Sequence, residues 1–152
     1  MNSATAHPEP SLFDRAGGMP GVERLTNRFY DLMESEPTYA ALRIMHAPSL
    51  DPMRHSLALF LAAWLGGPRD WFTQRPGACI MSMHRALDID RDNAGQWLHA
   101  MSRAMAETGM DPDLGQQMQS AFVRMAGAMI RTPPPHRGPN KPTLTPRRLR
   151  PG

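Results

Sequence analysis

Residues 51–68 read Asp51-Pro52-Met53-Arg54-His55-Ser56-Leu57-Ala58-Leu59-Phe60-Leu61-Ala62-Ala63-Trp64-Leu65-Gly66-Gly67-Pro68, and this stretch decides the fold. An aspartate can cap free backbone N–H groups, and the proline after it suits the first helical position, where no N–H is needed. Met53, Leu57, Phe60, Leu61 and Trp64 then recur at helical intervals and form one apolar face. Gly66-Gly67-Pro68 ends the run. The spacing predicts a helix over 51–65.

The same periodicity extends outward. Val22, Leu25, Phe29, Leu32 and Met33 predict a helix over 21–35, and Ala94, Trp97, Leu98, Met101 and Met105 predict one over 91–107. Asp111-Pro112 repeats the capping signal before Leu114, Met118, Phe122, Met125 and Met129, giving a fourth helix over 111–131. Residues 37–50 and 66–90 hold too many breakers for long helices but allow short helical turns. No stretch alternates with period two for long enough to make a sheet. The expected fold is all-α, with about four main helices and several short ones.

A chain of 152 residues suits one domain. Its net charge of +3 and pI near 9.7 suggest an acidic partner until the charges are located. Residues 133–152 hold five Lys/Arg (Arg137, Lys141, Arg147, Arg148, Arg150), seven prolines and no acid, so residues 1–132 are left at about −2. The expected organisation is a flexible leader over 1–10, a folded domain over 11–132 and a disordered basic, proline-rich tail over 133–152. Cys79 is the single cysteine, which excludes an intrachain disulfide. No apolar run reaches the roughly 20 residues of a membrane span. The first residues lack the basic and apolar regions of a signal peptide, so a cytoplasmic location is expected.

The usual catalytic patterns are missing. Of six histidines, none pairs at i, i+4 with a nearby acid, Gly-x-Ser-x-Gly does not occur, and neither Gly17-Gly18 nor Gly66-Gly67 is followed by a phosphate-binding lysine. His7 and His136 fall in the two expected loose ends, while His55 and His99 fall on polar helix faces. His84 differs, standing in the apolar stretch Cys79-Ile80-Met81-Ser82-Met83-His84. A neutral imidazole in apolar surroundings suits an axial position on haem iron. For a lone histidine, a partly buried ring bonded to a backbone carbonyl is the commoner outcome.

The neighbouring motifs shift that balance. Trp64-Leu65-Gly66-Gly67-Pro68-Arg69 is followed by His84 sixteen residues after the proline, and by Gln96-Trp97-Leu98 thirteen residues beyond the histidine. Together with Leu12-Phe13-Asp14, Gly17-Gly18 and Arg28-Phe29-Tyr30, this ordered set over residues 11–131 resembles the group II truncated haemoglobins. The resemblance implies a two-over-two helical sandwich around haem b, with His84 as the proximal ligand to iron. It further implies that Tyr30 and Trp97 are distal hydrogen-bond donors and that His46 is a third. Phe29, Met53, Leu57, Phe60, Ile80 and Met83 would line the cofactor. The implied ligands are O2, NO or CO, handled for redox, NO or peroxide chemistry or for sensing rather than bulk transport. An unidentified reductase would then serve the iron, and a homodimer is left open.

This sequence also departs from the pattern. Met81, Ser82 and Met83 stand where family members often carry basic residues for the haem propionates, leaving Trp71, Arg75 and Arg85 as substitutes. The segment from Arg43 to Leu50 is a residue or two longer than in some members. Two other function classes stay open. Thirteen methionines could line a groove for a partner helix in a haem-free binding or sensor domain. The tail, through Arg147-Arg148-Leu149-Arg150, could touch nucleic acid or acidic membrane with the core as a sensor, although five charges on a slightly acidic core argue against it.

Overall fold

The computed structural model describes residues 9–130, so the basic tail, His136, His7 and most of the expected leader lie outside the described residues. Among these the chain forms α1 (Leu12–Arg15), α2 (Gly18–Ser35), a 3-10 turn (Pro37–Tyr39), α3 (Ala40–Arg43), α4 (Asp51–Trp64), α5 (Asp70–Gln74), α6 (Ile80–Met83), α7 (Arg91–Glu107) and α8 (Pro112–Met129). No strand occurs among them. The four long helices are those that the apolar spacing predicts, within three residues at each end. The short ones fill 37–50 and 66–90.

Their ends follow from their caps. Asp90 accepts from the Asn93 backbone N–H at 2.8 Å while the Asn93 side chain accepts from the Asp90 N–H at 3.0 Å, a reciprocal cap that starts α7. Asp111 accepts from the Asp113 N–H and precedes Pro112 at the start of α8. At the end of α4, Gly66 takes a positive φ of 96°, and the N–H groups of Gly66 and Gly67 return to the carbonyls of Ala63 and Ala62. That arrangement closes the last turn and reverses the chain. Gly67 then lies against Phe13, where a Cβ would come within 2.6 Å of the ring. Phe13 in turn gives its N–H to the Leu65 carbonyl, so the glycine pair seats α1 on the end of α4.

α2 packs on α4, α7 packs on α8, and α2 also crosses α7, so two helix pairs are stacked. The shared core contains Val22, Leu25, Phe29, Leu61, Met101 and Met118, all nearly or wholly inaccessible. Burial of this apolar area is the main stabilising term. Arg54 ties α4 to α2 through Asp31 at 2.8 Å and the Asn27 carbonyl at 3.0 Å. Arg28 reaches from α2 to Glu107 at the end of α7. α6 is the exception. Its sequence Ile80-Met81-Ser82-Met83 is mostly apolar, yet none of its residues is buried.

Candidate functional site

The fold brings Tyr30 and Trp97 against Phe29, and His46 against Tyr30. The Phe29 and Tyr30 rings meet edge to face at 4.9 Å, and Phe29 meets Trp97 at 5.2 Å. The Tyr30 and His46 rings are 6.1 Å apart. Phe29 and Tyr30 are buried because α2 is covered on this face by both α4 and α7. Burial pushes the Tyr30 hydroxyl well above its ordinary pKa, despite the Arg54 guanidinium nearby. It therefore stays a protonated donor. Among the described residues, neither the Tyr30 hydroxyl nor the Trp97 indole N–H has a hydrogen-bond partner, and neither atom is fully enclosed. Tyr30 is buried and Trp97 partly buried, and both donors, on rings that flank Phe29, are open to an acceptor from outside the protein.

His46 is placed by a relay of backbone contacts. The Gln96 side chain on α7 accepts from the Leu42 N–H at 2.9 Å, and the Leu42 carbonyl lies 2.9 Å from His46 Nδ1. A carbonyl can only accept, so Nδ1 carries the proton. Arg43 clamps the rest of the loop through the carbonyls of Ala47 and Pro48 at 3.0 and 2.7 Å. Burial first, and the charges of Arg43 and His84 after it, hold the His46 imidazole below its ordinary pKa, although the Leu42 carbonyl opposes them.

His84 caps the short α6, and its Nδ1 lies 2.7 Å from the Ile80 carbonyl. The proton again sits on Nδ1, and Nε2 keeps its lone pair. His84 borders a cleft of about 260 Å³ formed with Met81, Arg85 and the end of α8 at Ala128, Met129 and Ile130.

The remaining predicted residues fall into two groups. Met53 is 39% exposed and Met83 49% exposed, whereas Leu57 and Ile80 are partly buried beside the core. Trp71 is instead wholly buried, 5.2 Å from Phe60, and gives its indole N–H to Ser56 Oγ at 3.4 Å. The Arg75 guanidinium lies 5.1 Å over the Trp71 ring, with Nη2 3.5 Å from Ser56 Oγ and Nη1 buried without a partner. His55 and His99 are exposed, as their helix positions predict. His99 nevertheless takes the hydroxyl of the buried Tyr39 at 2.8 Å. Sequence reasoning missed Arg43, Gln96 and Ser56 as positioning residues, because nothing in their spacing distinguishes them from surface polar groups.

A family model for bacterial-like globins matches residues 11–131. The chain belongs to the bacterial-like globin family. The group II 2-on-2 hemoglobin of Agrobacterium tumefaciens superposes with a TM-score of 0.79 at 27% identity, covering 84% of this chain and 98% of that one. The cold-adapted truncated hemoglobin of Pseudoalteromonas haloplanktis TAC125 gives 0.77 at 28%, covering 81% and 99%. The group 2 truncated hemoglobin 3-1 of Lotus japonicus is 24% identical over 112 residues, 74% of this globin and 66% of the plant protein, so the chain spans just under two thirds of that relative. The fold is that of a truncated globin.

Globin membership implies haem, and the side chains of this globin fit one. A flat apolar group would cover Met53, Met83 and the unburied α6. A carboxylate would answer the buried, unpartnered Nη1 of Arg75. His84 offers an imidazole in the tautomer that a metal needs.

Proposed function

We propose that this globin binds haem b through Nε2 of His84 and holds a diatomic ligand (O2, NO or CO) beneath Tyr30 and Trp97. The observation that carries the proposal is the His84 Nδ1 to Ile80 carbonyl bond of 2.7 Å. A second hydrogen bond on the far nitrogen fixes the tautomer, orients the ring and raises its basicity as a ligand. When bound, haem supplies the iron chemistry. The chain would supply the His84 nitrogen for the iron, the apolar cover of Met53, Leu57, Ile80 and Met83, and the Arg75 cation for a propionate. Its two unpaired donors stabilise negative charge on a bound oxygen ligand.

Several donors on one ligand slow its release, which suits redox, NO or peroxide chemistry or sensing better than bulk transport. A reductase would then be needed to return the iron to the ferrous state. The test is an absorption spectrum of the full chain expressed with ample haem: oxidised, reduced and with CO. A Soret band that is lost in His84→Ala supports the proposal. A colourless wild-type protein overturns it and leaves the haem-free helical binding domain.

A further inference from the structure

The cleft of about 260 Å³ beside His84 joins two elements that otherwise end in solvent. One wall is Met81 of α6 with Arg85 a turn further on, and the other is Ala128, Met129 and Ile130 at the end of α8. Ile80 and Met83, the α6 side chains assigned above to haem cover, do not line it. Apart from His84 and Arg85 the lining is apolar, and two of its side chains are methionines, which adapt to irregular partners.

The course of the chain indicates the occupant. Ile130 is the last described residue and itself lines the cleft, so residue 131 begins at the cleft's edge. Residues 131–152 carry six Lys/Arg and no acid, whereas residues 9–130 carry eleven arginines against fourteen acids, a net charge of −3. We propose that residues 131–152 dock on this chain's own cleft, with Leu144 between Pro142 and Pro146 against the methionines and Arg147-Arg148-Leu149-Arg150 on the acids beyond His84. The contact does not depend on haem.

Those acids are Asp88, Asp90 and Asp92, all exposed. Asp90 uses its carboxylate to cap α7, but the Asp88 and Asp92 carboxylates have no partner among the described residues. Asp31, Glu34, Glu36, Glu107 and Asp111, by contrast, are each held by an arginine. Leu87, 38% exposed, stands directly before Asp88 and gives Leu149 an apolar contact between its arginines. Arg85 at the rim repels further cations, which favours the cluster settling past it on Asp88 and Asp92. Seventeen residues from Ile130 to Arg147 reach up to roughly 55 Å when extended, so the span is ample. Tethering at the edge of the cleft gives the tail an effective concentration of about millimolar order, so a weak complement suffices.

The sequence supplies its own probe, because Lys141 is its only lysine. A zero-length carbodiimide joins an amine to a carboxylate in contact, and Arg147→Lys and Arg148→Lys bring that amine into the cluster at constant charge. The full chain is cross-linked as an equal mixture of isotope-labelled and unlabelled protein, in low salt and in about 1 M NaCl, and the linked peptides are identified by mass spectrometry. The expected links run from 147 and 148 to Asp88 or Asp92 within one chain, about tenfold more abundant than links to the exposed Glu23 or Asp113, and are largely lost in high salt. A second readout forms no link. Leu144→Ser combined with Arg147→Gln, Arg148→Gln and Arg150→Gln changes no described residue and should speed amide exchange severalfold at 81–92. Links spread evenly over the domain's acids, or exchange that the variant leaves unchanged, would overturn the inference. Links only between labelled and unlabelled chains would also overturn it, by making the occupant a second copy's tail. So would protection of the tail that arises only with added nucleic acid or acidic phospholipid vesicles, since the tail would then serve an outside partner.

Discussion

Tyr30 and Trp97 show how much a side chain's role depends on what it lacks. Each is an amphipathic aromatic of the kind that fills cores, and each packs on Phe29 within 5.2 Å. Among the described residues neither has a protein partner for its donor, which leaves each free to serve the proposed ligand. Tyr30→Phe and Trp97→Phe each remove one hydrogen bond of roughly 0.5–1.5 kcal/mol, so each should speed O2 dissociation about two- to tenfold. Stopped-flow displacement of O2 by CO would measure it, and unchanged rates in both variants would remove these residues from the ligand site. Both residues could be proposed as donors from sequence through their order and spacing with His84, which carry the family resemblance. The direction of the His46 proton was not, because its partner is a backbone carbonyl four residues away that no residue type announces. His84 resolves an apparent choice in the same way. Axial ligand and backbone-bonded ring are not alternatives, since the Ile80 bond on one nitrogen prepares the other.

Four of the helices could be located from sequence because each carries several repeats of an apolar face; α4 and α8 also open on Asp-Pro, although at α4 the cap position falls on Leu50 and Asp51 lies in the first turn. α1, α3, α5 and α6 hold four or five residues each, little more than one helical turn, so periodicity cannot detect them. α2 begins at Gly18 rather than at 21 because Pro20 is tolerated within the first turn. The glycine pair after α4 acts at this scale. Gly67→Ala forces a methyl group into the Phe13 ring and should lower stability by about 1–3 kcal/mol in urea unfolding. The same substitution at Gly95, where a Cβ meets nothing, serves as the control and should not destabilise the protein. Between elements, Glu107 joins Arg28 of α2 to Arg103 of its own helix, and the Arg28 hydrogen bond, followed by that of Arg103, lowers its pKa. A carboxylate with a depressed folded pKa contributes stability above its unfolded value of 4.5, and this is lost as pH falls through the folded value. Wild type and Glu107→Gln should therefore differ near neutral pH and converge in acid. Parallel melting curves across that range would show the link to be silent.

At the scale of the whole molecule, the described fold is two well-buried helix pairs with one segment that packs poorly. α6 has no buried residue, although it is largely apolar and ends on His84. An apolar surface left in water is unfavourable, so a ligand that covers it stabilises the folded state by its binding free energy. The core from α2, α4, α7 and α8 has its own burial and does not depend on that cover. Haem should then act unevenly, ordering the region around His84 while changing the long helices little. Amide hydrogen exchange of the full chain with and without haem measures this directly. Protection is expected to rise most in residues 79–87 and in the loop at 43–50, where Arg43 and Leu42 hold His46. In His84→Ala, added haem should give the first of these regions no comparable protection, because the axial bond that would tie it down is gone. Uniform protection across all four long helices would instead mean that the whole domain folds on the cofactor, and the independence of the core would be wrong. Protection at 43–50 without any at 79–87 would place the haem away from His84.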